Sequence, residues 1–195
     1  VQAIIAACIT MKEEEDKNGK RRPALIIAPP GLVNNWVREI QKFTQNMEVQ
    51  VWISTDCTRQ TSRLESAHFV VTTYSKLGAC LSRKIKSVAP DREAAKELNK
   101  GRRLPIEVPS IDEAAFNVVY SVIILDESHK VKNASSITNK AIRELQFDYA
   151  WLLSGTPAPN DIGEIGQQMF IANRKEDRFV RRREWEPRPS GPNGK

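Results

Sequence analysis

The sequence has no apolar run approaching the roughly 20 residues that a bilayer-spanning helix needs, so no membrane-spanning segment is expected. Its apolar opening, "VQAIIAACITM", lacks a basic leading region and an initiator Met, and therefore reads poorly as a signal peptide. Cysteine is scarce. Cys8, Cys57 and Cys80 are odd in number, widely spaced and free of any CxxC pair. That pattern argues against a disulfide framework or a cysteine zinc site, and it suits a reducing compartment. Internal repeats are absent as well.

What is present is an ordinary globular composition, 40% apolar and 28% charged, over 195 residues. That length suits one domain with a real core better than two large ones. The net charge of +6 is unevenly placed. Ser82–Pro105 holds eight basic and three acidic residues, Arg174–Lys195 holds eight basic and four acidic, and the rest of the chain sits at −3. Two peripheral segments thus carry the positive charge. Such segments either contact phosphates or serve as solvated polar stretches, and composition does not separate the two.

Short apolar runs alternate with longer ones of helical period. Pro23–Ala28 reads as a fully buried strand, too short and unbroken for an amphipathic helix. Behind a Pro-Pro-Gly turn, Leu32, Val33, Trp36, Val37, Ile40 and Phe43 recur at helical spacing. Val49–Ile53, His68–Tyr74, Val118–Asp126 and Tyr149–Gly155 read as four more strands. Ser135 or Ser136 is placed to cap a helix whose inner face is Ile137, Ala141, Ile142 and Leu145. Strands alternating with helices predict βαβ units, hence a mainly parallel sheet covered on both faces. The expected fold is a three-layer α/β domain.

Ligands of open parallel sheets bind beyond the carboxyl ends of the strands. Polar signatures fall at such ends here. Asp126-Glu127 follows the fourth strand, Ser154-Gly155-Thr156-Pro157 the fifth, Thr72-Thr73-Tyr74 ends the third, and Pro29-Pro30-Gly31 follows the first. A strand-end carboxylate can hold Mg²⁺ through water while its neighbour orients an attacking water. A helix-capping acidic pair has the same sequence, so the motif in isolation leaves both readings open.

The combination is more specific. "LDESHKVKN" (Leu125–Asn133) resembles the DExH box of the superfamily 2 nucleic-acid-dependent ATPases, and within them of the Swi/Snf-type DNA translocases, the Snf family. "LIIAPPGLVNNWVREIQKF" (Leu25–Phe43) is similar to that family's motif Ia, "VVTTYSKL" (Val70–Leu77) to motif Ib, and "LLSGTPAPNDIGEI" (Leu152–Ile165) to motif III. The "PTREL" and "SAT" motifs of DEAD-box RNA helicases are absent, which disfavours that reading. The resemblance spans Val1 to Asn173, with four motifs in order.

It implies a RecA-like domain of the P-loop NTPase type, using ATP and Mg²⁺. Asp126 would coordinate Mg²⁺ through water, and Glu127 would polarise the water that attacks the γ-phosphate. His129, Ser154, Gly155 and Thr156 would couple nucleotide state to DNA and to a second lobe. Pro30, Gly31, Thr72, Thr73 and Tyr74 would face the nucleic-acid backbone. Trp36 and Tyr74 themselves read as packing residues and not as base-stacking platforms; His68 reads as structural. The implied partners are duplex DNA, nucleosomes or DNA-bound proteins, and a second RecA-like lobe; the implied location is the nucleus and the implied work chromatin remodelling or DNA repair.

This chain departs from the family pattern in places. Ser128 stands where Ala or Gly is usual, and Gly31 where motif Ia commonly carries a hydroxyl. The larger departure is that no G-x-G-K-[ST] loop occurs; Gly19-Lys20-Arg21 lacks the leading glycine and a following Ser or Thr. The chain is thus expected to be a partial N-terminal lobe over residues 1–173, lacking the first strand and its phosphate loop and inactive in isolation. Residues 82–117 are expected to be an insertion between motifs Ib and II, and 174–195 a basic, disordered tail. Loss of that strand is expected to leave two inner strands with unpaired edges. The alternative is a non-catalytic nucleic-acid-binding module that uses the basic insertion and tail.

Overall fold

A computed structural model describes residues 1–52, 61–88, 114–155 and 163–172. Helix α1 (Gln2–Asn18) ends at Gly19, whose left-handed backbone (φ 65°) lets its N–H return to the Glu15 carbonyl at 2.7 Å. A residue with a Cβ would pay for that conformation, which is why glycine so often closes a helix. Then follow β1 (Ala24–Ala28), a 3₁₀ turn (Pro30–Leu32), α2 (Val33–Phe43), β2 (Val49–Trp52), α3 (Thr61–Ser66), β3 (Phe69–Thr73) and α4 (Tyr74–Val88). Beyond residue 113 come α5 (Ala114–Asn117), β4 (Val119–Asp126), a second 3₁₀ turn (Ser128–Val131), α6 (Ile137–Glu144), β5 (Gln146–Leu153) and α7 (Gly163–Ala172).

The five strands form one parallel sheet in the order β2-β3-β1-β4-β5. All of β1 and β3 is buried, as unbroken apolar runs in a parallel sheet require. Period-two alternation divides the core. Leu25 and Ile27 face a cluster with α3 to α7, whereas Ala24, Ile26 and Ala28 face α1 and α2 through Ile4, Ala7, Val33 and Ile40. The three-layer expectation therefore holds, and the apolar opening of the chain is a helix against the sheet. Among the described residues, no helix is long and apolar enough to cross a membrane.

Three expectations change. Among the described residues the inner strands are not left unpaired: β3, β1 and β4 each have a strand on both sides, and β2 and β5 stand at the edges. Strand β5 starts at Gln146, three residues earlier than its apolar run, because half-exposed positions of an edge strand tolerate polar residues such as Asp148, which pairs with Arg22 at 2.6 Å. The proposed insertion also contributes to the domain at both ends. Residues up to Val88 continue α4, and Ala114, Ala115 and Phe116 of α5 are buried in the core. The "DREAAKEL" piece and the basic tail lie outside the described residues. In α6 the capping expectation is met by Ser136, whose Oγ accepts the Asn139 N–H at 3.1 Å.

Candidate functional site

Strand β4 runs between β1 and β5, and its last residue, Asp126, stands opposite Leu153 at the end of β5. Three donors hold Asp126 in place. Its Oδ1 accepts the Glu127 N–H at 3.0 Å, its Oδ2 accepts the Trp36 indole N–H at 2.7 Å, and its carbonyl accepts the Tyr74 hydroxyl at 2.6 Å. Trp36 arrives from the first turn of α2, and Tyr74 opens α4 straight after β3. Burial, then the charges of Asp126 and Glu127, push the Tyr74 hydroxyl well above its usual range, so it stays a donor.

Glu127 adopts a left-handed backbone (φ 52°, ψ 53°). For an L-residue that conformation costs about 1–2 kcal/mol, and it turns the chain sharply from the strand into the 3₁₀ turn. Lys130 N–H closes the turn on the Glu127 carbonyl at 3.0 Å. The turn is anchored from behind: buried Ser128 donates to Gln168 Oε1 of α7 at 2.7 Å, and buried Asn139 of α6 donates to the Val131 carbonyl at 2.6 Å. The side chains of Glu127 and His129 remain accessible, 42% and 35% exposed. His129 Nδ1 lies 3.2 Å from Glu127 Oε2, close enough for an ion pair when the imidazole is protonated, but it is not aligned as a hydrogen bond. The result is one restrained carboxylate at the carboxyl end of an inner strand and a second, freer one projecting beside it.

The remaining candidates divide. Ser154, partly buried, and Gly155, exposed, follow β5 beside Asp126; Thr156 lies outside the described residues. Pro30 and Gly31 are exposed just after β1. The turn after β3 is packed inward. Thr72, Thr73 and Tyr74 are all buried, with Thr72 Oγ1 bonded to the Trp52 carbonyl, Thr73 Oγ1 accepting the Lys76 N–H, and Tyr74 bonded to Asp126. Their side chains are buried and bonded within the domain. Trp36 was missed as a site residue. Its apolar period placed it in the core, and only the adjacency of β1 and β4 brings its N–H to the acid. The nearest signal in the sequence was its position just beyond a strand end.

Among the described residues no three His, Cys, Asp or Glu side chains converge on a common point. A cage that strips a metal of its water is therefore not formed by them. A single carboxylate with both oxygens oriented by N–H donors fits Mg²⁺ held through its own hydration shell, the usual preference of that ion. No G-x-G-K-[ST] segment is available in the sequence for a nucleotide's phosphates.

The fold and this strand-end motif define a parallel α/β domain with a paired acidic turn at its carboxyl edge. The chain belongs to the family of the SNF2-related domain, whose profile matches residues 2–192. It is 30% identical over 145 residues to the mouse DNA excision repair protein ERCC-6-like, covering 72% of this chain and 10% of the relative. It is 27% identical over 161 residues to the TATA-binding protein-associated factor MOT1 of Saccharomyces cerevisiae, covering 79% and 7%. Among solved structures, the Sulfolobus solfataricus SWI2/SNF2 ATPase core in complex with dsDNA superposes with a TM-score of 0.57 at 23% identity, over 84% of this chain and 27% of that one. The chain thus spans a tenth or less of these two relatives' length.

Proposed function

We propose that this chain is part of an N-terminal RecA-like lobe of a protein that couples ATP hydrolysis to movement along duplex DNA. The observation that carries the reading is the turn at Asp126 and Glu127: one carboxylate held by three donors at its residue, the next thrown outward by a left-handed backbone. Asp126 would hold Mg²⁺ through water, and ATP with that ion would supply the transferable phosphoryl group. Glu127 would accept a hydrogen bond from the attacking water and polarise it.

His129, Ser154, Gly155 and Thr156 would relay the state of this turn to DNA and to a second lobe. Pro30 and Gly31 are exposed beyond β1, and of the two the Gly31 N–H would serve for phosphate contact through the main chain, since proline has none. A relative named for DNA excision repair and a fold neighbour solved with dsDNA support a DNA substrate; the site of action would be the nucleus, with nucleosomes or other DNA-bound proteins as the objects moved. On this reading the chain in isolation does not hydrolyse ATP, because no G-x-G-K-[ST] phosphate loop occurs in its sequence.

The test is phosphate release by the complete protein, with and without duplex DNA. DNA-stimulated release that Glu127→Gln abolishes, with nucleotide binding retained, supports the reading. Stimulation by RNA in place of duplex DNA contradicts it. Salt-sensitive DNA binding without any hydrolysis would instead favour a non-catalytic binding module.

A further inference from the structure

We infer that Trp36 is a positioning residue for Asp126, and that its indole N–H sets which lone pairs of that carboxylate are left for a hydrated cation. The inference rests on the assignment of Asp126 to Mg²⁺ made above. Trp36 Nε1 is 2.7 Å from Asp126 Oδ2, across 90 positions of sequence, and the bond is charge-assisted. Oδ1 is engaged by the Glu127 N–H and the main-chain carbonyl by the Tyr74 hydroxyl. One donor therefore acts on each carboxylate oxygen, and a third acts behind the carboxylate.

Without the indole N–H, Oδ2 has no partner among these three donors. Rotation about the Cβ–Cγ bond then exchanges Oδ1 and Oδ2, and the orientation presented to a cation's water shell is no longer unique. The framework behind Trp36 is rigid enough to make this matter. The indole is partly buried and packs against the apolar cluster built by α1, α2, β1, β3 and β4. Trp36 is thereby fixed by apolar contacts on its ring while its one polar atom faces the acid. Partners that orient a metal-binding side chain from outside the coordination sphere change metal affinity by about 10–100-fold when removed.

The experiment uses the complete protein and reads equilibrium binding of a fluorescent, non-hydrolysable ATP analogue over a Mg²⁺ titration, so no turnover is needed. Two variants separate hydrogen bonding from packing. Trp36→Phe removes the N–H and part of the ring. Replacement of Trp36 by 3-benzothienylalanine keeps the bicyclic volume and puts sulfur in place of N–H. Both are expected to raise the Mg²⁺ concentration for half-saturation by about tenfold, with analogue binding in EDTA unchanged. If the benzothienyl variant titrates like the wild type, the proposal is overturned and Trp36 is a packing residue. Equal loss of binding with and without Mg²⁺ overturns it too. Asp126→Asn serves as the reference: should it leave the Mg²⁺ titration unaltered, the metal assignment of Asp126 itself fails, an outcome distinct from failure of Trp36 alone.

Discussion

Ser128 and Gln168, 40 residues apart, share a 2.7 Å hydrogen bond between two buried side chains, Oγ donating to Oε1. The bond ties the turn that carries Glu127 and His129 to the helix that follows the Ser-Gly-Thr segment. It also explains why a hydroxyl is accommodated at a position where the family resemblance leads one to expect Ala or Gly. A buried neutral bond of this kind contributes about 0.5–1.5 kcal/mol net. A double-mutant cycle of Ser128→Ala and Gln168→Met, followed by urea unfolding, should therefore return a coupling energy near 1 kcal/mol. Additive single effects would show that the two side chains are merely neighbours.

Glu127 trades stability for placement. Its left-handed backbone is unfavourable for any residue with a Cβ, and its side chain is half exposed with no aligned hydrogen bond to His129. Glu127→Gly relieves the strain but loosens the unfolded chain, so the two effects offset to within about 1 kcal/mol. The melting temperature should accordingly stay at or slightly above that of the wild type, while DNA-stimulated phosphate release by the complete protein disappears. A drop of many degrees would mean that the side chain holds the turn together.

His68 makes stability depend on pH. Its Nδ1 accepts the Glu48 N–H at 3.1 Å, and burial, followed by the positive charge of Arg21, lowers its pKa below 6.5. The unfolded chain then takes up the proton more readily than the folded one. Its contribution is fully present above the unfolded pKa near 6.5 and is lost as pH falls towards the lower folded value. Urea midpoints measured from about pH 7 down to about pH 5.5 should decline in the wild type and decline less in His68→Gln. Parallel curves for the two proteins would exclude a role for this imidazole.

Much of the architecture was readable because burial leaves its mark on composition. Unbroken Leu25–Ala28 and β-branched Val70–Thr73 have no use outside a covered parallel sheet, and the spacing of Ile137, Ala141 and Ile142 has none outside a helix against it. The strand-end position of Asp126 and Glu127 was readable from the apolar run before them, whereas the two carboxylates by themselves left a capping pair equally open. Edge strand β5 was clipped for the converse reason: half-exposed positions such as Gln146 and Asp148 carry no apolar signal.

A three-layer parallel domain with Asp126 and Glu127 at a strand end follows from the residue pattern, because period and local chain geometry are short-range properties. What surrounds those acids depends instead on which strands and helices come together in space. The order β3-β1-β4 sets the helices after β1 and β3 beside the end of β4, so that Trp36 and Tyr74, read as apolar packing, deliver their polar atoms to Asp126. The same order buries the side chains of Thr72 and Thr73 at the end of β3. Which strands become neighbours depends on how whole faces pack, and no window of sequence contains that information.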